Sequence, residues 1–113
     1  MVEKSVINNL KKFSSTLSKA GITIDKMILY GSYAKGLQGR ESDIDVAVVS
    51  RNFGKDRVEE GMFLFKLAGE VDARIEPVPI SVDSFEKDTW IPLIYEIRKN
   101  GIEILLSKEE KLK

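Results

Sequence analysis

Cysteine and histidine are both missing from the 113 residues. Their absence excludes thiol nucleophiles, serine–histidine triads, disulfide staples and ordinary zinc sites. Any catalysis here has to be built from carboxylates, hydroxyls, lysines, arginines and backbone amides. An excess of one charge is missing too. Eighteen lysines and arginines balance 18 aspartates and glutamates, so no overall positive field favours a nucleic acid backbone, while small anionic substrates stay open. No apolar run approaches the roughly 20 residues that span a bilayer. The opening Met1-Val-Glu-Lys-Ser also lacks the basic segment and apolar block of a secretory leader. The expectation is a cytoplasmic protein that does not enter the membrane.

What is present suits one compact domain over residues 1–113, with 42% hydrophobic residues and no internal repeat. Val2, Val6, Leu10, Phe13, Leu17 and Ala20 recur at steps of three or four before Gly21, which predicts an amphipathic first helix. Met27 to Tyr30 reads as a short buried strand ending at Gly31. A polar loop from Lys35 to Ser42 leads into a second central strand, Asp43 to Val49. Asn52-Phe53-Gly54 breaks that strand, and Val58 to Leu67 has the spacing of a helix, although Gly61 and Gly69 blur its limits. Asp72 to Glu76 reads as a third strand that stops at Pro77 and Pro79. Ser81 to Phe85 can cap a helical turn, Ile91 to Asn100 reads as a helix with Pro92 near its start, and Ile102 to Leu106 as the last strand. A charged tail from Lys108 to Lys113 is expected to fray. This order predicts an α/β (α+β) fold, a mixed sheet with helices over one face and the other face or edge free for a substrate.

The chemistry concentrates in two segments, Gly31-Ser32-Tyr-Ala-Lys-Gly36 and Ser42-Asp43-Ile-Asp45-Val-Ala-Val. A glycine at a strand-to-helix turn lets backbone approach a ligand, and the following helix offers unpaired amides and a positive dipole end to a phosphate. Ser32 adds a hydroxyl donor. Side chains two apart on a strand point the same way, so Asp43 and Asp45 project together while Ile44, Val46 and Val48 enter the core. Paired carboxylates repel one another unless a divalent cation bridges them to triphosphate oxygens, and that predicts magnesium dependence. A two-metal centre needs a further carboxylate near the attacking hydroxyl. The third strand offers Asp72 and Glu76 on one face with Arg74 between them; Glu76 is the choice and Asp72 the reserve.

These residues resemble the polymerase-beta-type nucleotidyltransferases, and within them the minimal single-domain branch, whose pattern is Gly-Ser, a spacer, then Asp-x-Asp on the next strand. The likeness is specific from Ile28 to Val49 and looser elsewhere. It implies a nucleotidyltransferase fold, with Gly31 and Ser32 at the triphosphate and Asp43 and Asp45 on two magnesium ions. It also implies a third acidic residue, carried here onto Glu76, where an aspartate is common. The implied activity moves a nucleoside monophosphate, AMP from ATP in the first instance, to a hydroxyl with release of pyrophosphate. Minimal members are often paired with a small helical partner of the HEPN type in toxin–antitoxin modules, and a partner would supply the acceptor for which this chain has no second domain.

Blander readings exist for each feature. Gly31-Ser32 alone is an ordinary turn and Asp43-x-Asp45 alone a solvated strand end; order and context together make the functional reading. Glu76 can be a surface glutamate paired with Arg74. Lys35 and Arg40 lie near the phosphates but read as solvated, and Trp90, Phe63 and Phe65 read as packing residues of the core or of a partner surface rather than as stacking platforms. Two further expectations compete with an active enzyme: a non-catalytic nucleotide- or partner-binding antitoxin module, and a homo-oligomer with its acceptor site between subunits.

Overall fold

The computed structural model describes residues 2–39 and 42–106; Arg40 and the tail from Lys108 to Lys113 lie outside the described residues. The elements run α1 (Lys4–Lys19), β1 (Lys26–Tyr30), α2 (Ser32–Lys35), β2 (Ile44–Ser50), α3 (Arg57–Val71), β3 (Ile75–Ser81), α4 (Val82–Lys87), α5 (Pro92–Asn100) and β4 (Ile102–Glu103). The sheet has the order β3-β2-β1-β4. β1 pairs antiparallel with β2 and β4, while β2 and β3 are parallel, so the sheet is mixed as expected.

The first helix forms where the spacing places it. Val6, Leu10, Phe13 and Leu17 are fully buried on one face of α1 and pack on Met27, Leu29, Ile44, Val46 and Val48, with Leu64 and Ala68 of α3 in the same cluster. Burying side chains of that size contributes about 2 kcal/mol each, and this makes the α1–α3 layer the main anchor of the sheet. The start of α3 is fixed by Asp56, whose side chain accepts from the Glu59 amide, and by the Glu60 carboxylate, which accepts from the amides of Gly54, Lys55 and Asp56.

Helices cover both faces rather than one. Ile28, Ala47, Val49 and Ile80 point the other way and are covered by Phe85 of α4 and Ile94 and Ile97 of α5. The alternation along β1 and β2 permits this, since each strand is apolar on both sides over most of its length. What stays open on this second face is the end of the sheet beyond Ile28 and Ala47.

The third strand is also displaced. β3 begins at Ile75 and runs through Pro77 and Pro79 to Ser81 instead of stopping before them. The prolines are tolerated because β3 is an edge strand. The Ile44 amide donates to the Arg74 carbonyl, so the even-numbered residues face β2 and the odd-numbered ones face outward. Of the outward amides, Ile75 donates to the Asp72 carbonyl, and residues 77 and 79 have no N–H. α3 likewise extends past both expected limits, with Gly61 and Gly69 inside it, and β4 holds only Ile102–Glu103 of the longer strand expected. Phe65 and Trp90 are exposed and Phe63 partly so, so none of them is a core residue. Among the described residues no helix is long and apolar enough to cross a membrane.

Candidate nucleotide and metal site

β1 delivers the chain to Gly31, where φ is 73° and ψ is −150°, a conformation open to glycine and strained for other residues. The conformation turns the chain sharply into α2. A Cβ on Gly31 would run into the Asp45 carboxylate, so the turn lies directly against that side chain. α2 is a single turn of four residues, too short for the macrodipole expected of the helix after the glycine. Its contribution is a first turn of amides with no side-chain cap, next to the Ser32 hydroxyl. Gly36, at φ 72°, ends the helix through a left-handed cap.

The acidic residues meet through strand register. Tyr30 of β1 is the cross-strand partner of Asp45, and Asp45 in turn is level with Glu76 of β3. Tyr30, Asp45 and Glu76 therefore form one row across the sheet, with side chains on the same face as α4 and α5, at the end that those helices leave open. Asp43 lies just before β2 and is exposed. Beside it, the Ser42 hydroxyl accepts from the Gly39 amide at 2.7 Å.

The electrostatics of the row are those of uncompensated negative charge. Burial, then Asp43, then Glu76 raise the pKa of Asp45 above the ordinary carboxylate value. The Tyr30 phenol is pushed up to about 12 by burial and then by Asp45 and Glu76. Among the described residues, no lysine or arginine forms an ion pair with Asp43, Asp45 or Glu76. Nor are three acidic side chains gathered closely enough there to enclose an ion by themselves. That donor set suits a hard divalent cation held by one or two carboxylates and completed by oxygens of a bound ligand, the usual condition of magnesium at phosphates.

Asp72 is not on a strand and does not share a face with Glu76. It caps the end of α3 and binds Arg74 through a fork, with N–H donors at 3.2 and 2.8 Å, while Asn9 of α1 donates to it at 2.9 Å. These partners hold its carboxyl down at about 2, the Arg74 hydrogen bond being the largest cause. Lys35, expected to be solvated, pairs with Glu96 of α5 at 3.2 Å. Sequence spacing presents Tyr30 only as the end of an apolar run. Its place in the acidic row depends on cross-strand register, which a single sequence does not display.

A sequence model of the nucleotidyltransferase domain matches residues 7–112. A protein of Methanocaldococcus jannaschii named as a putative protein adenylyltransferase is 29% identical over 99 residues, covering 88% of this chain and 95% of its own length. Among solved structures, a toxin–antitoxin crystal structure with AMP-PNP superposes with a TM-score of 0.60 at 23% identity, covering 93% of this chain and 77% of the other. The complex of an AMPylated Shewanella oneidensis HEPN toxin with its MNT antitoxin gives 0.54 at 20% identity, covering 90% and 73%. The structural likenesses establish the shared fold. With a family match over nearly the whole length, and with the glycine turn and acidic row assembled by that fold, the chain belongs to the nucleotidyltransferase domain family.

Proposed function

We propose that residues 1–113 act as a single minimal nucleotidyltransferase domain that transfers AMP from ATP, with magnesium, to a hydroxyl on a protein partner. The observation that carries this reading is the row Tyr30–Asp45–Glu76 with the Gly31 turn lying against Asp45. In this reading the amides after Gly31 and the Ser32 hydroxyl hold the triphosphate. Asp43 and Asp45 hold the metal, and Glu76 is the third carboxylate. Its register beside Asp45, and the engagement of Asp72 by Arg74 and Asn9, support Glu76 over the reserve.

The reaction breaks the bond between the α-phosphorus and pyrophosphate while the acceptor oxygen bonds to that phosphorus. The hydroxyl proton passes to a carboxylate of the row or to water. Bound magnesium supplies charge neutralisation for the triphosphate and the entering oxygen. The chain's own residues position the phosphates at the Gly31 turn, and among the described residues no lysine or arginine pairs with the row.

The partner reading draws on α3. Val58, Met62 and Phe65 form an outward stripe and are 73%, 68% and 57% exposed, an apolar surface on a helix that buries only Leu64 and Ala68 in the core. A helical protein of the HEPN type, like the toxin in the Shewanella complex, fits such a stripe by laying an apolar helix face along it.

Calorimetric titration of ATP with and without magnesium, on wild type and Asp43→Asn, tests the site. Magnesium-dependent binding that is lost in the variant supports it, and labelled AMP appearing on a co-purified partner completes it. Binding without transfer in the presence of the partner would favour the non-catalytic antitoxin module instead. No triphosphate binding at all, with the partner present, would overturn the transferase reading and leave a module that binds only its partner.

A further inference from the structure

Arg74 connects three parts of the site that are far apart in sequence. Its guanidinium donates to the Tyr33 hydroxyl at 3.2 Å, and Tyr33 follows Ser32 in α2. Its carbonyl accepts from the amide of Ile44, the residue between Asp43 and Asp45, at 2.8 Å. Arg74 directly precedes β3, which carries Glu76 two residues further on. The guanidinium is itself fixed, because Asp72 takes it as a fork and is anchored in turn by Asn9 of α1. Tyr33 is only 4% exposed, so its hydroxyl is a buried polar group whose partner sets where the ring sits.

We infer that Arg74 is a positioning residue, which through the Tyr33 hydroxyl fixes the Gly31–Ser32 turn relative to the strands carrying Asp45 and Glu76. Without that bond α2 is held by its own few hydrogen bonds, by the Tyr33 ring in the core and by Lys35 on Glu96 from the other layer. A four-residue helix has little intrinsic persistence, so an outside tether decides how well its first turn is placed. The fork is well suited to tethering, since a guanidinium locked on one carboxylate presents its remaining N–H in a fixed direction, which a lysine ammonium does not.

The test begins with Tyr33→Phe, which keeps the ring in the core and leaves the Arg74–Asp72 pair intact. The reporters are the amides of Lys35, Gly36 and Leu37, which donate to the carbonyls of Gly31 and Ser32. Their hydrogen exchange in the nucleotide-free protein is expected to speed up by about 5-fold or more, with α1 and β2 unchanged. Unchanged exchange overturns the inference. Adding Tyr33→Phe to Arg74→Gln should change exchange by no more than about 2-fold further, whereas effects that multiply in full would show two independent roles and overturn it as well.

A kinetic arm rests on the function proposed above. There kcat should fall about 10-fold in Tyr33→Phe with KM for ATP moving less than about 3-fold, the pattern of misplacement rather than lost binding. Unchanged kcat overturns the inference. If the wild type transfers no nucleotide, the functional reading fails alone, and the exchange measurement still decides the role of Arg74.

Discussion

The space that a Cβ on Gly31 would fill is occupied by the carboxylate of Asp45. One residue thus has two independent reasons to be glycine, a backbone angle of 73° and a carboxylate in contact. Gly31→Ala should lower stability by roughly 3 kcal/mol, combining the backbone strain with displacement of Asp45. Urea unfolding checks it: a loss under about 1 kcal/mol would mean that the turn relaxes elsewhere.

Asp45 is less well accommodated as an anion in the folded chain than in the unfolded one. Because its folded pKa is raised, the penalty is present at neutral pH and disappears as pH falls through the raised value towards 3.8. In metal-free buffer at pH 7, Asp45→Asn should melt about 2 °C higher than wild type, the response of a domain of this size to a few tenths of a kcal/mol. At pH 3 the difference should vanish. A lower melting point for the variant at pH 7 would show that Asp45 has a favourable partner in the free protein.

Asp72 has the opposite sign. Its folded value near 2 lies below the ordinary 3.8, so the Arg74 pair contributes stability above pH 4 that is lost as pH falls from about 4 to about 2. Asp72→Asn should cost about 1 kcal/mol at pH 7, less than the full shift implies because the Arg74 head is partly solvated. Thermal melts of wild type and variant should converge near pH 2; parallel curves would exclude the linkage.

The outer edge of β3 carries no free amide from Ile75 to Pro79, a protection against edge pairing. Replacing Pro77 with Thr and Pro79 with Val should restore two outward donors and produce concentration-dependent association in light scattering. A double variant that stays as dispersed as wild type would place the protection elsewhere, in α3 for instance.

On α3, Met62→Lys with Phe65→Glu should change stability by no more than about 0.5 kcal/mol, since both side chains are exposed. The same pair should abolish binding of a helical partner. Pull-down at unchanged melting temperature reads both, and retained binding would move the docking surface off α3.

Much of the layout is legible because periodicity carries it. The α1 stripe from Val6 to Leu17, the strand into Gly31, and the alternation that sends Ile44 and Val46 one way and Asp45 the other follow from the spacing alone. The limits of β3 are not legible, because proline reads as a strand end, whereas at a sheet edge it removes a donor that had no partner. The role of Asp72 is hidden for a similar reason. Spacing puts it on the face of Glu76, but α3 runs on to Val71 and leaves it as a cap, free to grip Arg74. The second helical layer is invisible in the sequence because strands that are apolar on both sides look the same whichever face is covered.

The acidic row lies at an open end of the sheet, with Asp43 and Glu76 both exposed. Under the function proposed above, a site with no enclosing wall among the described residues would not choose among hydroxyls by shape, so its selectivity would become a matter of residence. Whatever remains beside it longest is presented at the highest effective concentration, up to the millimolar range for a tethered group. Dwell time on a distant surface would then govern which acceptor reacts and how often.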